Sequence, residues 1–271
     1  MRLSRTARIV LRVAAGLGFA VIYVPLLLVL VNSLNPDRSA SWPPPGLTVH
    51  WWSVAWHNTG AREAVWTSVK AGLGATAIAL VLGTLIAFAV ARHRFFGRDA
   101  VSFVVVLPIA LPGIVTGIAL NSAFGTVLEP LGVGLGLFTV VVGHATFCIV
   151  VVFNNVAARL RRTSGSYEEA AMDLGAHTFR AFVDITFPLV RSALLAGGLL
   201  AFALSFDEIV VTTFTAGAGV RTLPLWIFDN MTRPQQAPVV NVVAAVLVLL
   251  SVIPIYVAQR LSADTATESR I

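Results

Sequence analysis

The sequence predicts an all-α protein that crosses a membrane six times, and three observations lead there. Of its 271 residues, 57% are hydrophobic and only 12% are charged, with a mean hydropathy of +0.84. That balance lies outside the range of soluble globular domains. Apolar runs at residues 13–31, 65–91, 100–122, 136–158, 192–214 and 239–257 each come close to or exceed the roughly 20 residues that a helix needs to cross the hydrocarbon core. The arginines also sort by side. With both termini in the cytoplasm, fourteen fall inside and only Arg38, Arg62, Arg221 and Arg233 fall outside, as the preference of basic loops for the cytoplasm requires. The whole chain, residues 1–271, reads as one transmembrane domain. Its formal charge of +6 belongs to orientation, since the arginines gather at the ends of apolar runs and form no stripe suited to nucleic acid.

Arg2, Arg5, Arg8 and Arg12 precede the first run. A secretory signal peptide has the same order, but this run is long for one and no Ala-x-Ala cleavage site follows it directly, so an uncleaved span is expected. Residues 32–62 are polar and hold Trp42, Trp51, Trp52 and Trp56. Indole rings settle among lipid headgroups, which makes this segment an outer interfacial anchor, with contact to an external protein as the alternative. Arg92, Arg94 and Arg98 close the second span.

The third run contains Pro108, Pro112, Gly113 and Gly117, with Asn121 at its outer end. Proline removes a helix hydrogen bond, which is tolerated in lipid only where neighbours satisfy the freed carbonyl. A kinked helix facing protein or a cavity is expected, followed by a glycine-rich outer turn over 121–136. The fourth run holds Cys148, the single cysteine, which excludes an internal disulfide. It also holds His144, expected to be hydrogen-bonded between helices. An outer loop bearing Trp226, Asp229 and Arg233 separates the fifth and sixth runs, and residues 259–271 form a polar tail.

Residues 159–191 are different in kind: a polar loop with five arginines between two apolar runs. Ser166 followed by Glu169 has the capping-box spacing, and Glu168 adds negative charge at the same helix start. The helix from Tyr167 to Leu174 is expected to stop at Gly175, the residue best suited to a left-handed end. A second helix, Phe179–Phe187, would carry Phe179, Phe182, Val183 and Phe187 on one stripe until Pro188 ends it.

The spacing Glu169-Ala170-Ala171, three residues, Gly175, nine residues, Ile185, two residues, Pro188 resembles the EAA loop of inner-membrane permeases of binding-protein-dependent ABC importers. Phe187 departs from the leucine usual before that proline, an apolar exchange. The resemblance implies a type I importer permease fold in a bacterial inner membrane, with this loop as the coupling helix that docks on a cytoplasmic ATPase. It assigns Glu169, Ala170, Ala171 and Gly175 to that contact, with Glu168 beside them. It further implies a second permease subunit, two ATPase subunits and an extracytoplasmic binding protein as partners.

No engine is visible in the chain. Lys70 is the only lysine and precedes Ala71, so the glycine-rich phosphate loop ending in GK[ST] is absent, as are the HExxH and GxSxG patterns. The chain is expected to be a transport subunit without catalysis, cofactor or metal of its own, ATP and magnesium being held by the partner.

A substrate path is suggested by Ser205-Phe206-Asp207-Glu208 inside the fifth run. An ionised carboxylate at mid-membrane costs about 2.5–3.5 kcal/mol on insertion scales, so such a pair is expected to face a watery cavity or a partner. SFDEIVVTTFTAG followed by RTLPLWIF resembles permeases of the spermidine/putrescine branch, which implies a small cationic cargo drawn by Asp207 and Glu208. Asn121 and the ring face of Trp226 are weaker candidates for contact with a cation. Two alternatives stand beside this reading: a permease for another amine, an amino-acid derivative or a phosphonate, and an ion-driven secondary transporter. The latter would show inverted repeats and several interrupted helices, and no convincing internal repeat is visible.

Overall fold

A computed structural model describes residues 4–38 and 41–250, and these are helical throughout apart from connections. In chain order the helices are α1 Arg5–Asn32, α2 His50–His57, α3 Thr59–Arg92, α4 Arg98–Ala110, α5 Gly113–Val127, α6 Leu137–Arg161, α7 Ser166–Asp173, α8 Thr178–Ala181, α9 Phe187–Phe206, α10 Val210–Thr215 and α11 Leu223–Asn230. A twelfth, α12, runs over Ala237–Leu250. Five stretches are long and apolar enough to cross a membrane: Arg5–Asn32, Thr59–Arg92, Gly113–Leu131, Leu137–Arg161 and Thr178–Phe206. Of the expected sixth span, 239–257, the described part is helical and apolar; its end and the 259–271 tail lie outside the described residues.

The chain divides into two compact units, one made of residues up to Arg62 and from Ile227 on, the other of Glu63–Trp226. In the first unit α1 buries no residue. Asn35 is fully buried in the turn that follows, its amide donating to the Ser41 carbonyl and its oxygen accepting from the Asp37 amide. The Arg38 guanidinium lies 5.6 Å from the centre of the Trp51 ring. Asn58 then starts α3 by accepting from the Ala61 amide at 2.9 Å, the side-chain cap that this residue type favours.

The second unit is built on small residues. Ala71, Ala75, Ala79 and Ala87 recur at helical spacing on α3 and are all fully buried. Gly83 continues the row, and a side chain there would collide with the Ile149 carbonyl and Val152 of α6. Lipid tails are as apolar as leucine, so spans associate through close packing, which small residues permit. Val152, Phe153, Val156 and Leu160 of α6 fill the space between α3 and α9.

The structure corrects four sequence expectations. The third run is two helices rather than one kinked helix: Leu111 is extended, with φ −80° and ψ 145°, between α4 and α5. Leu111 takes the extended conformation that a residue before proline prefers, so Pro112 opens α5, whereas Pro108 is carried inside α4. The 121–136 turn is shorter than expected, since α5 continues to Val127. Pro188 does not end the second loop helix. A π turn at Phe182–Thr186 joins α8 to α9, with the Phe187 amide reaching back to the Phe182 carbonyl, and this wider turn relieves the clash of the proline ring with the carbonyl four residues back. Finally, the fifth run stops at Phe206, so Asp207 and Glu208 lie in a break before α10 rather than inside a span.

Candidate functional site

The polar loop begins where α6 runs out at Arg161. The capping box does not form. Gly165 is the cap of α7, and Ser166 sits inside the first turn, its amide and hydroxyl both facing the Ser164 hydroxyl. The upstream serine has displaced it. The other end of α7 matches the expectation: Gly175 has φ +91°, its amide bonds the Met172 carbonyl, and the Ala176 amide bonds the Ala171 carbonyl. This is the paired Schellman closure that a left-handed residue allows.

Of the two adjacent acids, Glu168 turns inward and Glu169 outward. Glu168 Oε1 accepts from Arg92 Nη2 at 3.0 Å and from the Thr186 hydroxyl at 2.8 Å. Arg92 Nη1 also donates to the Thr163 carbonyl at 3.1 Å. One carboxylate thus fastens α7 to the end of α3 and to the π turn below α9. Arg92 was legible in the sequence only as an orientation marker. Thr186 carried no signal, because nothing in its neighbours marks a threonine that faces an acid eighteen residues earlier.

With Glu168 engaged, the outer surface carries bare apolar side chains beside the exposed Glu169: Leu174 is 90% and Phe179 72% exposed, and Tyr167 and Met172 are exposed near them. Ala170 is exposed and Ala171 half-buried. Gly175→Ala is expected to cost about 1–2 kcal/mol through the left-handed backbone, whereas Gly175→Asn, which tolerates that conformation, should cost less. The thermal midpoint in detergent is the measurement, with alanine expected below asparagine.

The break at Asp207–Ile209 is the second polar feature. Asp207 is exposed at the end of α9, and Glu208 turns back so that Oε1 accepts from the Val211 amide at 2.8 Å, covering a free N–H of α10. Behind the break His144 is wholly buried, with Nδ1 2.7 Å from the Ser205 hydroxyl and Nε2 2.9 Å from the Thr212 hydroxyl. Thr212 donates its own hydrogen to the Glu208 carbonyl, so the network assigns the imidazole proton to Nε2, and Ser205 donates to Nδ1. His144 therefore ties the end of α9 to α10 across the acids, as expected of a histidine between helices. His144→Leu leaves the Ser205 hydroxyl without this partner and should destabilise the fold by about 1–3 kcal/mol, read as a lower thermal midpoint in detergent.

Helix α10 itself lies in a cradle of glycines. A side chain at Gly117 would collide with the Phe214 ring, and one at Gly143 would press on Val211 and Thr215. Asn121 holds the same helix, its amide donating to the Phe214 carbonyl at 2.7 Å. Trp226 is buried in α11, 5% exposed, rather than displayed on a loop. The four path candidates thus divide: Asp207 and Glu208 lie in the break, Asn121 supports α10 behind it, and Trp226 is buried in α11.

Residues 79–266 match the family described as binding-protein-dependent transport system inner membrane component. The chain is 33% identical over 235 residues to the putrescine transport system permease protein PotI of Escherichia coli (strain K12), covering 85% of this chain and 83% of that one. It is 33% identical over 247 residues to the spermidine/putrescine transport system permease protein PotC of the same organism, covering 91% of each. Over 227 residues it is 29% identical to the putative 2-aminoethylphosphonate transport system permease protein PhnV of Salmonella typhimurium, covering 82% and 84%. Among solved structures, a bacterial ABC transporter involved in the import of the acidic polysaccharide alginate superposes with a TM-score of 0.72 at 17% identity, covering 97% and 99%, and shares the fold. With 79–266 matched and relatives of one third identity along nearly the full length, this multi-pass chain belongs to the family of inner membrane components of binding-protein-dependent transport systems.

Proposed function

We propose that this chain is one of two permease subunits of an ABC importer for polyamines such as putrescine and spermidine. It contributes half of the path and takes its drive from a separate ATPase. The observation that carries the reading is the α7 loop: a short helix clamped from behind by Arg92–Glu168–Thr186, with Leu174 and Phe179 bare in front. An apolar ridge of that kind on a rigid support suits the groove of a soluble partner. The arginine bias supports a cytoplasmic position for this loop and for both termini. A second permease, two ATPase subunits that hold ATP and magnesium, and an external binding protein complete the assembly.

The cargo reading rests on two supports: the names of the relatives at 33% identity, and the acids at the α9–α10 break, which attract a multivalent cation. The aminoethylphosphonate relative favours the second reading, another small primary amine, since its named compound also carries an ammonium group. Labelled putrescine, spermidine and 2-aminoethylphosphonate offered to proteoliposomes of the assembled transporter distinguish the two. ATP-dependent accumulation of the first two alone is expected. Accumulation by the permease alone, driven by an ion gradient, would refute the importer reading.

A further inference from the structure

Outside the coupling loop and the acidic break, a polar cavity of about 410 Å³ lies between the loop-side ends of α6 and α9. Asn154, Asn155, Arg159 and Arg162 line it from α6 and Ser192 from α9. Two guanidiniums and no carboxylate face it. Arg159 is half committed, its Nε donating to the Leu189 carbonyl at 2.8 Å, while neither the Arg162 guanidinium nor the Asn154 amide has a partner among the described residues.

The order of groups along the helices points to the ligand. Gly197 lies against Val152 and Asn155, and Arg159 reaches Leu189, so α6 and α9 run antiparallel with known register. From Arg162 up to Asn154 is eight residues, about 12 Å of helix. Charge therefore lies at the membrane edge, with neutral amides one to two turns deeper. Above Ser192, on the same face of α9, Leu195 is 68% and Leu199 71% exposed. Cation, then amide, then bare hydrocarbon matches, in the same order, the groups that a phospholipid presents from the membrane edge inward: phosphate, ester, acyl chain. Basic pockets between spans at a membrane face are suited to anionic headgroups.

We infer that this cavity binds the phosphate of an anionic phospholipid from the leaflet on the coupling loop's side, with Arg162 and Arg159 on the phosphate and Asn154 at the ester level. Bound there, the lipid would brace the end of α6, from which the loop departs. The inference does not depend on the cargo.

Native mass spectrometry of the assembled transporter tests it, with phosphatidylglycerol, phosphatidylcholine or inorganic phosphate added to the detergent. Wild type should retain phosphatidylglycerol over phosphatidylcholine. Arg162→Gln should lower that retention about fivefold, the weight of one arginine at an anionic surface, and Arg162→Lys should restore most of it. The Arg162 guanidinium has no hydrogen-bond or ion-pair partner among the described residues, so neither substitution removes one. Equal retention of the two lipids, or a preference untouched by Arg162→Gln, would overturn the assignment. So would displacement by inorganic phosphate at the lipid's own concentration, which would mark a free-anion site. Cross-linking of an Asn154→Cys variant to the second permease subunit would instead show that protein covers the cavity.

Discussion

Asp207→Asn combined with Glu208→Gln is expected to reduce uptake of a cationic substrate by about two to three orders of magnitude. A unit charge about 8 Å from the cation's path, at an effective dielectric of about 20, contributes about 2 kcal/mol, or about thirtyfold for each acid. Glutamine keeps the oxygen that accepts from the Val211 amide, so the start of α10 survives while its charge is lost. Uptake at a range of ionic strengths is the measurement. Wild-type rates in the double variant would show that the acids serve only the helix ends. The single variants should differ, with the exposed Asp207 the larger, since Glu208 is already engaged by backbone.

Arg92→Ala is the second substitution with a large expected effect. It removes the bond to the Thr163 carbonyl and leaves the half-buried Glu168 carboxylate with only the Thr186 hydroxyl. A hydrogen bond to a charged group contributes about 1.5–3 kcal/mol, so α7 should loosen from α3 and from the π turn. ATP-driven transport is expected to fall at least tenfold, with basal ATP hydrolysis by the partner retained. A double-mutant cycle with Glu168→Ala gives the sharper reading: groups in one network couple by about 0.5–3 kcal/mol. Strict additivity would show that the two residues act separately.

Local chemistry was legible in the sequence where one residue settles the outcome. Gly175 ends α7 because glycine reaches φ +91° without strain, and the third run breaks at Pro112, before which Leu111 takes the extended conformation that this position favours. Hydropathy found the spans but could not see inside them. Isoleucine and valines follow the two acids directly, so the run from 192 to 214 reads as unbroken, although the Glu208 carboxylate in fact opens a new helix. The capping box failed although its spacing was right, because α7 is capped one residue earlier, at Gly165, and the Ser166 amide donates to the Ser164 hydroxyl. The π turn was invisible because its cause is a proline tolerated by a rearranged backbone. Glu169, the acid in the quoted motif, faces outward, while its neighbour Glu168 makes the internal bonds.

The π turn has a mechanical consequence. It leaves Thr178–Phe206 as one shaft of 29 residues, about 43 Å long, with the exposed Phe179 at its foot and Asp207 at its tip. Helix α10 is seated in its glycine pockets and tethered by Asn121, and His144 links it to the end of the shaft. A lean of about 5° moves the tip by about 4 Å. A nudge at the foot would thus be delivered, with leverage and across a single hinge, to the two carboxylates at the other end.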